Sequence, residues 1–282
     1  MDLHDSLTGH GEGAPQPPSV LRALNAVQAR LDGPAVVHDD SHLRATARTL
    51  LGALDLSPDV ALACVLRNQI GGSYAARHSV ETAVIAALVA RALHMRPAHL
   101  LSLTAAALAL HATGRHDDSR DTPRTAAGNG WFTALLQDHS PDPLPDDTDI
   151  EAAAHLLRMA DRYCAGISAR NYRRSLLPDD ALRRVLADSP DPVLTEAFER
   201  EIGHYPPGTL VRLASAETGI VVHRDGARPE ILCLLDAQGI VLAVPQPRQV
   251  DGNGCSIAAA LGEDDVALRV PMKGVWGPLA SL

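Results

Sequence analysis

A chain of 282 residues can hold one large domain or two small ones and bury a substantial core. Hydrophobic residues make up 46% and charged residues 21%, a globular balance, and aromatics are only 3%, so the Ala- and Leu-rich interior suits packed helices better than a β-sandwich. The formal net charge of -9 argues against a broad footprint for DNA or anionic lipid, leaving room only for a local basic pocket.

Residues 1–18 are rich in Gly, Pro and polar groups and read as a disordered tail with neither the basic start nor the apolar run of a secretory signal. Ser19 is a good N-cap for a helix reaching about Leu31. A second helix is predicted from Asp40 or Ser41 to about Leu54. Ser57-Pro58 opens a third, since proline sits well in a first turn, and Gly71-Gly72 follows it. From Tyr74 to Met95 the positions Val80, Val84, Leu88 and Ala92 keep helical spacing, and Arg96-Pro97 breaks the pattern. Another helix spans 98–111. Residues 116–130 and 138–149 are polar, turn-forming loops flanking a short helix from Trp131 to Gln137. Helical pattern returns over 150–168, 178–187 and 192–202.

After Tyr205-Pro206-Pro207-Gly208 the period changes. Short β-branched runs at 210–213, 219–223, 231–235 and 240–244, separated by turns such as Asp225-Gly226 and Gln238-Gly239, predict an antiparallel sheet over 209–244. The fold class expected is mainly α, a helical bundle with a small C-terminal antiparallel β module. The parts are the tail (1–18), N-terminal helices (19–56), a helical domain (57–204), and the β module with its tail (205–282). Cys64, Cys164, Cys233 and Cys255 form no CxxC pair, so a zinc ribbon is not expected, and they read as reduced thiols of a cytoplasmic protein. The apolar stretches are too broken for a membrane span. No phosphate-binding glycine loop or nucleophile elbow appears.

The stretches YAARHSVETAV, AAALALHATGR, ADRYCAGISARNYRR and EIGHYPPGTLVRL together resemble the HD-GYP family, a branch of the HD superfamily that includes cyclic di-GMP phosphodiesterases. The resemblance runs from about Leu54 into the β module and implies an HD-like bundle whose ligands come from several helices. It implies metal-ligand roles for His78, His111, His139 and Asp161, with Asp138 beside them, and a phosphate-facing wall at Arg170 and Arg173, which flank Asn171 and Tyr172. His116-Asp117 is a literal His-Asp pair, but it lies beyond the helix that the apolar lead AAALAL defines.

Several positions depart from the family. Where the family has the Asp of its His-Asp pair this chain has Ala112, and a methyl group cannot bridge two cations. The family's His-His-Glu is Asp138-His139-Ser140 here, its Gly-Tyr-Pro is absent, and the stretch between Arg115 and Trp131 is too short for the helix that carries a further ligand. The expectation is a non-catalytic, HD-GYP-like signalling protein: a regulatory or interaction scaffold in cyclic di-GMP pathways with no cofactor. Its partner would be a protein, with a cyclic dinucleotide as a further candidate and no DNA. The alternative is a metal-dependent phosphohydrolase with a reduced ligand set around a single Fe, Mn or Zn ion, for which mixed nitrogen and oxygen ligands are suitable.

Overall fold

The computed structural model describes residues 17–32, 40–112, 135, 148–168, 175–225, 228–250, 255–266 and 268–282, with the backbone alone at 111, 112, 148 and 225. Helix α1 (Val20–Leu31) starts where expected: the Ser19 hydroxyl accepts the Arg22 amide at 3.2 Å. Its apolar stripe of Val20, Leu21, Leu24, Val27 and Leu31 is buried. Helices α2 (Asp40–Leu56) and α3 (Pro58–Leu66) follow, the second capped by Ser57 with Pro58 in its first turn.

Helix α4 (Tyr74–Ala92) is the centre of the bundle. Every residue from His78 to Ala90 is buried, so this helix has no solvent face along its middle. Alanines at 83, 86, 87 and 90 let neighbours approach from several sides, and α1, α2, α3, α5 (Pro97–Ala112), α6 (Thr148–Ile167) and α8 (Pro192–Ile202) all pack on it. Its start is tied to the end of α1. Ser73 caps the Ala76 amide at 3.2 Å, while the Ser73 amide donates to Asp32 at 2.8 Å. The Ser73 hydroxyl also donates to Asp32, at 2.5 Å, and with the amide bond it holds the Asp32 carboxyl below its usual range. The helix ends at Ala92 rather than Met95, because His94 turns into the left-handed region with φ 56°.

One apolar core runs through α1 to α8, including α7 (Pro178–Ala187), and takes in Met272 and Ala280 from the C-terminal tail. Of the short helix predicted at 131–137 only Leu135 lies among the described residues; it is helical and buried. No single helix among the described residues is long and apolar enough to cross a membrane.

The tail of the chain is an antiparallel sheet of β1 (Leu210–Leu213), β2 (Thr218–Asp225), β3 (Arg228–Leu235), β4 (Val241–Gln249) and β5 (Ile257–Leu261), in the order β4-β3-β2-β1-β5. The mainly α architecture with a C-terminal β module is therefore as expected. Two details differ. The strands after β1 run longer than predicted, and β5, which was not predicted, pairs with β1 from the far edge, Leu210 opposite Leu261. The sheet also carries apolar clusters on both faces: Val211, Val221 and Ile231 on one, Leu210, Ile220 and Leu234 on the other. Cover for the second face comes from Val266, Val270 and Trp276 of the tail, where a short helix α9 (Met272–Trp276) also went unpredicted.

The sheet is fastened to the bundle by adjacent residues of β2. The Trp276 indole donates to the Val222 carbonyl at 3.0 Å. His223 pairs with Asp59 at the start of α3. The Arg224 guanidinium donates to the carbonyls of Arg200 and Glu201, both at 2.8 Å, and of Ile202, the last turn of α8, where a cation also complements the helix dipole. Gly208, with φ +99°, lets the chain cross α3 so closely that a Cβ there would stand 2.8 Å from the Ala63 Cα.

Candidate functional site

Two helix stripes face each other in the bundle. On α4, Tyr74, His78 and Glu81 recur every three to four residues; Asp161 and Cys164 on α6, with Ser168 just past its end, do the same. The His78 Nε2 lies 3.0 Å from the Asp161 Oδ1 across 83 residues of sequence. The Ser168 hydroxyl donates to the Glu81 Oε2 at 3.1 Å, forming a second rung between the same helices. His78 and Glu81 are each only 2% exposed, whereas Asp161 retains 33%.

Burying a carboxylate requires compensation. Glu81 finds it in Ser168, in Arg77 at 3.7 Å, and in the His78 Nδ1 at 3.9 Å, an electrostatic contact rather than a hydrogen bond. The imidazole therefore lies between two carboxylates, one toward each ring nitrogen. Burial, the largest single influence on His78, favours the neutral ring; the two carboxylates together outweigh it and leave the pKa above its ordinary value. The same surroundings push the Cys164 thiol well up: it is fully buried, and Glu81 and Asp161 repel a thiolate.

Tyr74 covers the outer side. Its ring stacks on His78 at 5.4 Å between centroids with an interplanar angle of 11°, and the Arg77 guanidinium lies 5.6 Å from the Tyr74 centroid. Deeper in, the Tyr163 ring meets Phe198 edge-on at 5.8 Å.

Of the residues singled out in the sequence, His78 and Asp161 are brought together. The backbone of His111 and Ala112 forms the end of α5, but the His111 side chain, His139, Asp138, Arg170 and Arg173 lie outside the described residues. Of His78, His111 and Asp161, expected to share one cavity, the first and last are in contact at 3.0 Å, and the His111 side chain lies outside the described residues. Ser168 and Cys164 were not singled out. Their signal was available: they share the helical spacing of Asp161 on the face that meets α4.

A single ion is partly accommodated by this geometry. Octahedral ligand bonds of about 2.1 Å place neighbouring ligand atoms roughly 3 Å apart, so the 3.0 Å between His78 and Asp161 suits two adjacent positions on one cation as well as a hydrogen bond. Glu81 does not extend that set, because it faces the opposite ring nitrogen. Among the described residues no three His, Cys, Asp or Glu side chains converge on one point.

The fold and this pairing define a mainly helical protein in which a buried histidine and a partly exposed aspartate join two bundle helices. A segment of it is similar to a known enzyme, a cyclic di-GMP phosphodiesterase of Pseudomonas aeruginosa, at 32% identity over 106 residues. That match covers 36% of this chain and 25% of the relative, so the chain spans about a quarter of the length of the protein it matches. No family model matches the chain, and no solved structure matches it.

Proposed function

We propose that this protein is a non-catalytic, HD-GYP-like regulatory scaffold acting in cyclic di-GMP signalling, with a protein as its partner. The observation that carries this reading is the placement of His78 between Asp161 and Glu81 on opposite ring nitrogens. A protonated imidazole there supplies, from within the chain, the positive charge that a cation would otherwise bring to Asp161. Ala112 at the end of α5 supports the same reading, since it offers no carboxylate to bridge two ions. The partial similarity to a cyclic di-GMP phosphodiesterase supports the pathway. The scaffold keeps the bundle and its buried polar rungs, which fix how α4 and α6 meet, and presents the outer surface of that bundle for binding.

A second reading is favoured by the 3.0 Å spacing of His78 and Asp161. In it the protein is a phosphohydrolase with one Fe, Mn or Zn ion held by His78 and Asp161, with His111 and His139 as further candidate ligands and Arg170 and Arg173 toward the phosphate. Such an ion, when bound, would supply Lewis acidity toward a phosphoester. Glu81 would then orient His78 through its second nitrogen, as carboxylates do for ligating histidines. Elemental analysis of protein purified without chelator separates the two. The scaffold reading expects well below one equivalent of transition metal, unchanged in His78→Ala. One equivalent per chain, lost in both His78→Ala and Asp161→Ala, would favour the phosphohydrolase.

A further inference from the structure

A cleft of about 230 Å³ opens between α6 and α7, lined by Arg162, Ala165 and Gly166 of α6, Leu176 of the connection, and Ala181, Arg184 and Val185 of α7. It exists because both helices present small residues at the crossing. On α6 the positions 162, 165 and 166, and on α7 the positions 181, 184 and 185, are each spaced as i, i+3, i+4, so each set forms one wall. Gly166 and Ala181 bring the walls together at the floor, where a Cβ on Gly166 would stand 3.2 Å from the Ala181 Cβ. The floor is apolar and the rim carries two guanidinium groups.

The charges around this rim are unequally matched. Arg183, next to Arg184, is paired with Asp179 at 2.6 Å and Asp180 at 3.0 Å. Arg162 is paired with Asp188 at 2.5 Å, which ties α6 to the residue capping α7. Arg184 has no ion pair or hydrogen-bond partner among the described residues. Around the rim stand three guanidinium groups and three carboxylates, shared so that Arg183 has two partners, Arg162 one and Arg184 none among the described residues. Guanidinium groups bind phosphate oxygens through paired N–H donors, and they do so best beside apolar surface that excludes water.

We propose that this cleft binds a small organic phosphate monoester, its apolar body on the Ala165–Gly166–Ala181–Val185 floor and its phosphate on Arg184 with Arg162 beside it. A volume of about 230 Å³ suits a body the size of one ring. A phosphate monoester carries about −1.5 to −2 charges near neutral pH, enough to engage both arginines. The inference goes beyond the proposed function and does not rest on it, since the cleft is formed by residues other than the His78 pair.

Phenyl phosphate is the probe, titrated into the full chain by calorimetry or amide chemical-shift mapping, with inorganic phosphate and benzyl alcohol as the charge-only and ring-only comparisons. The expected result is saturable binding of phenyl phosphate, at least tenfold tighter than either comparison. Binding should weaken at least tenfold in Arg184→Ala, and less in Arg184→Lys, whose helical circular dichroism should match the parent. Absence of phenyl phosphate binding overturns the proposal. So does binding that Arg184→Ala leaves unchanged, or equal affinity for inorganic phosphate or for benzyl alcohol.

Discussion

Replacing Asp161 with Asn tests whether the buried imidazole is held by charge. The substitution keeps the shape of the side chain and removes the negative charge 3.0 Å from the His78 Nε2. A hydrogen bond to a charged group contributes about 1.5–3 kcal/mol. Asp161 is one-third exposed, so solvent screening brings the figure toward the ~0–1 kcal/mol of a surface pair, and about 1–2 kcal/mol is expected. For a chain of this size that lowers the thermal midpoint by roughly 2–6 °C. The pH dependence carries the sign. The folded-state pKa of His78 is raised, so its charged-form contribution is fully present below the unfolded value of about 6.5 and is lost as pH rises through the folded pKa. Thermal melts followed by helical circular dichroism should therefore show a larger loss for Asp161→Asn at pH 6 than at pH 9. An equal loss at both pH values, or no loss at pH 6, would refute the imidazolium account.

Two further outcomes concern the junction between bundle and sheet. Arg224→Ala should lower stability by about 2 kcal/mol, because three carbonyls at the end of α8 lose a charged donor; urea unfolding followed by helical circular dichroism measures it. Gly208→Ala should cost more than about 2 kcal/mol, since it combines a φ of +99° with a Cβ 2.8 Å from the Ala63 backbone, and the urea midpoint should fall accordingly.

The helices were legible because their signals are local. Ser19, Ser57 and Ser73 cap their helices, and prolines 58, 178 and 192 stand in first turns. β5 was not legible, for a non-local reason. Ile257–Leu261 is mostly alanine, with little intrinsic strand preference, and becomes a strand only because β1 has a free edge to offer it. α9 is likewise set by contact, as Trp276 reaches Val222 and Met272 enters the bundle core. His78 and Asp161 could be paired from the sequence only through the family resemblance, since no spacing rule links positions 83 residues apart. The second rung, Glu81 with Ser168, follows once the first has set how α4 and α6 face each other.

The proposed scaffold function requires a His–Asp couple that supports no phosphodiesterase chemistry. Incubating the unmodified protein with cyclic di-GMP and, in turn, Mn²⁺, Fe²⁺ and Zn²⁺, with products separated by chromatography, tests it directly. No turnover above buffer with metal alone is expected. None is expected in Ala112→Asp either, since one added carboxylate leaves the Asp138-His139-Ser140 triplet unchanged. Metal-dependent hydrolysis by the unmodified protein, abolished by His78→Ala or Asp161→Ala, would contradict it.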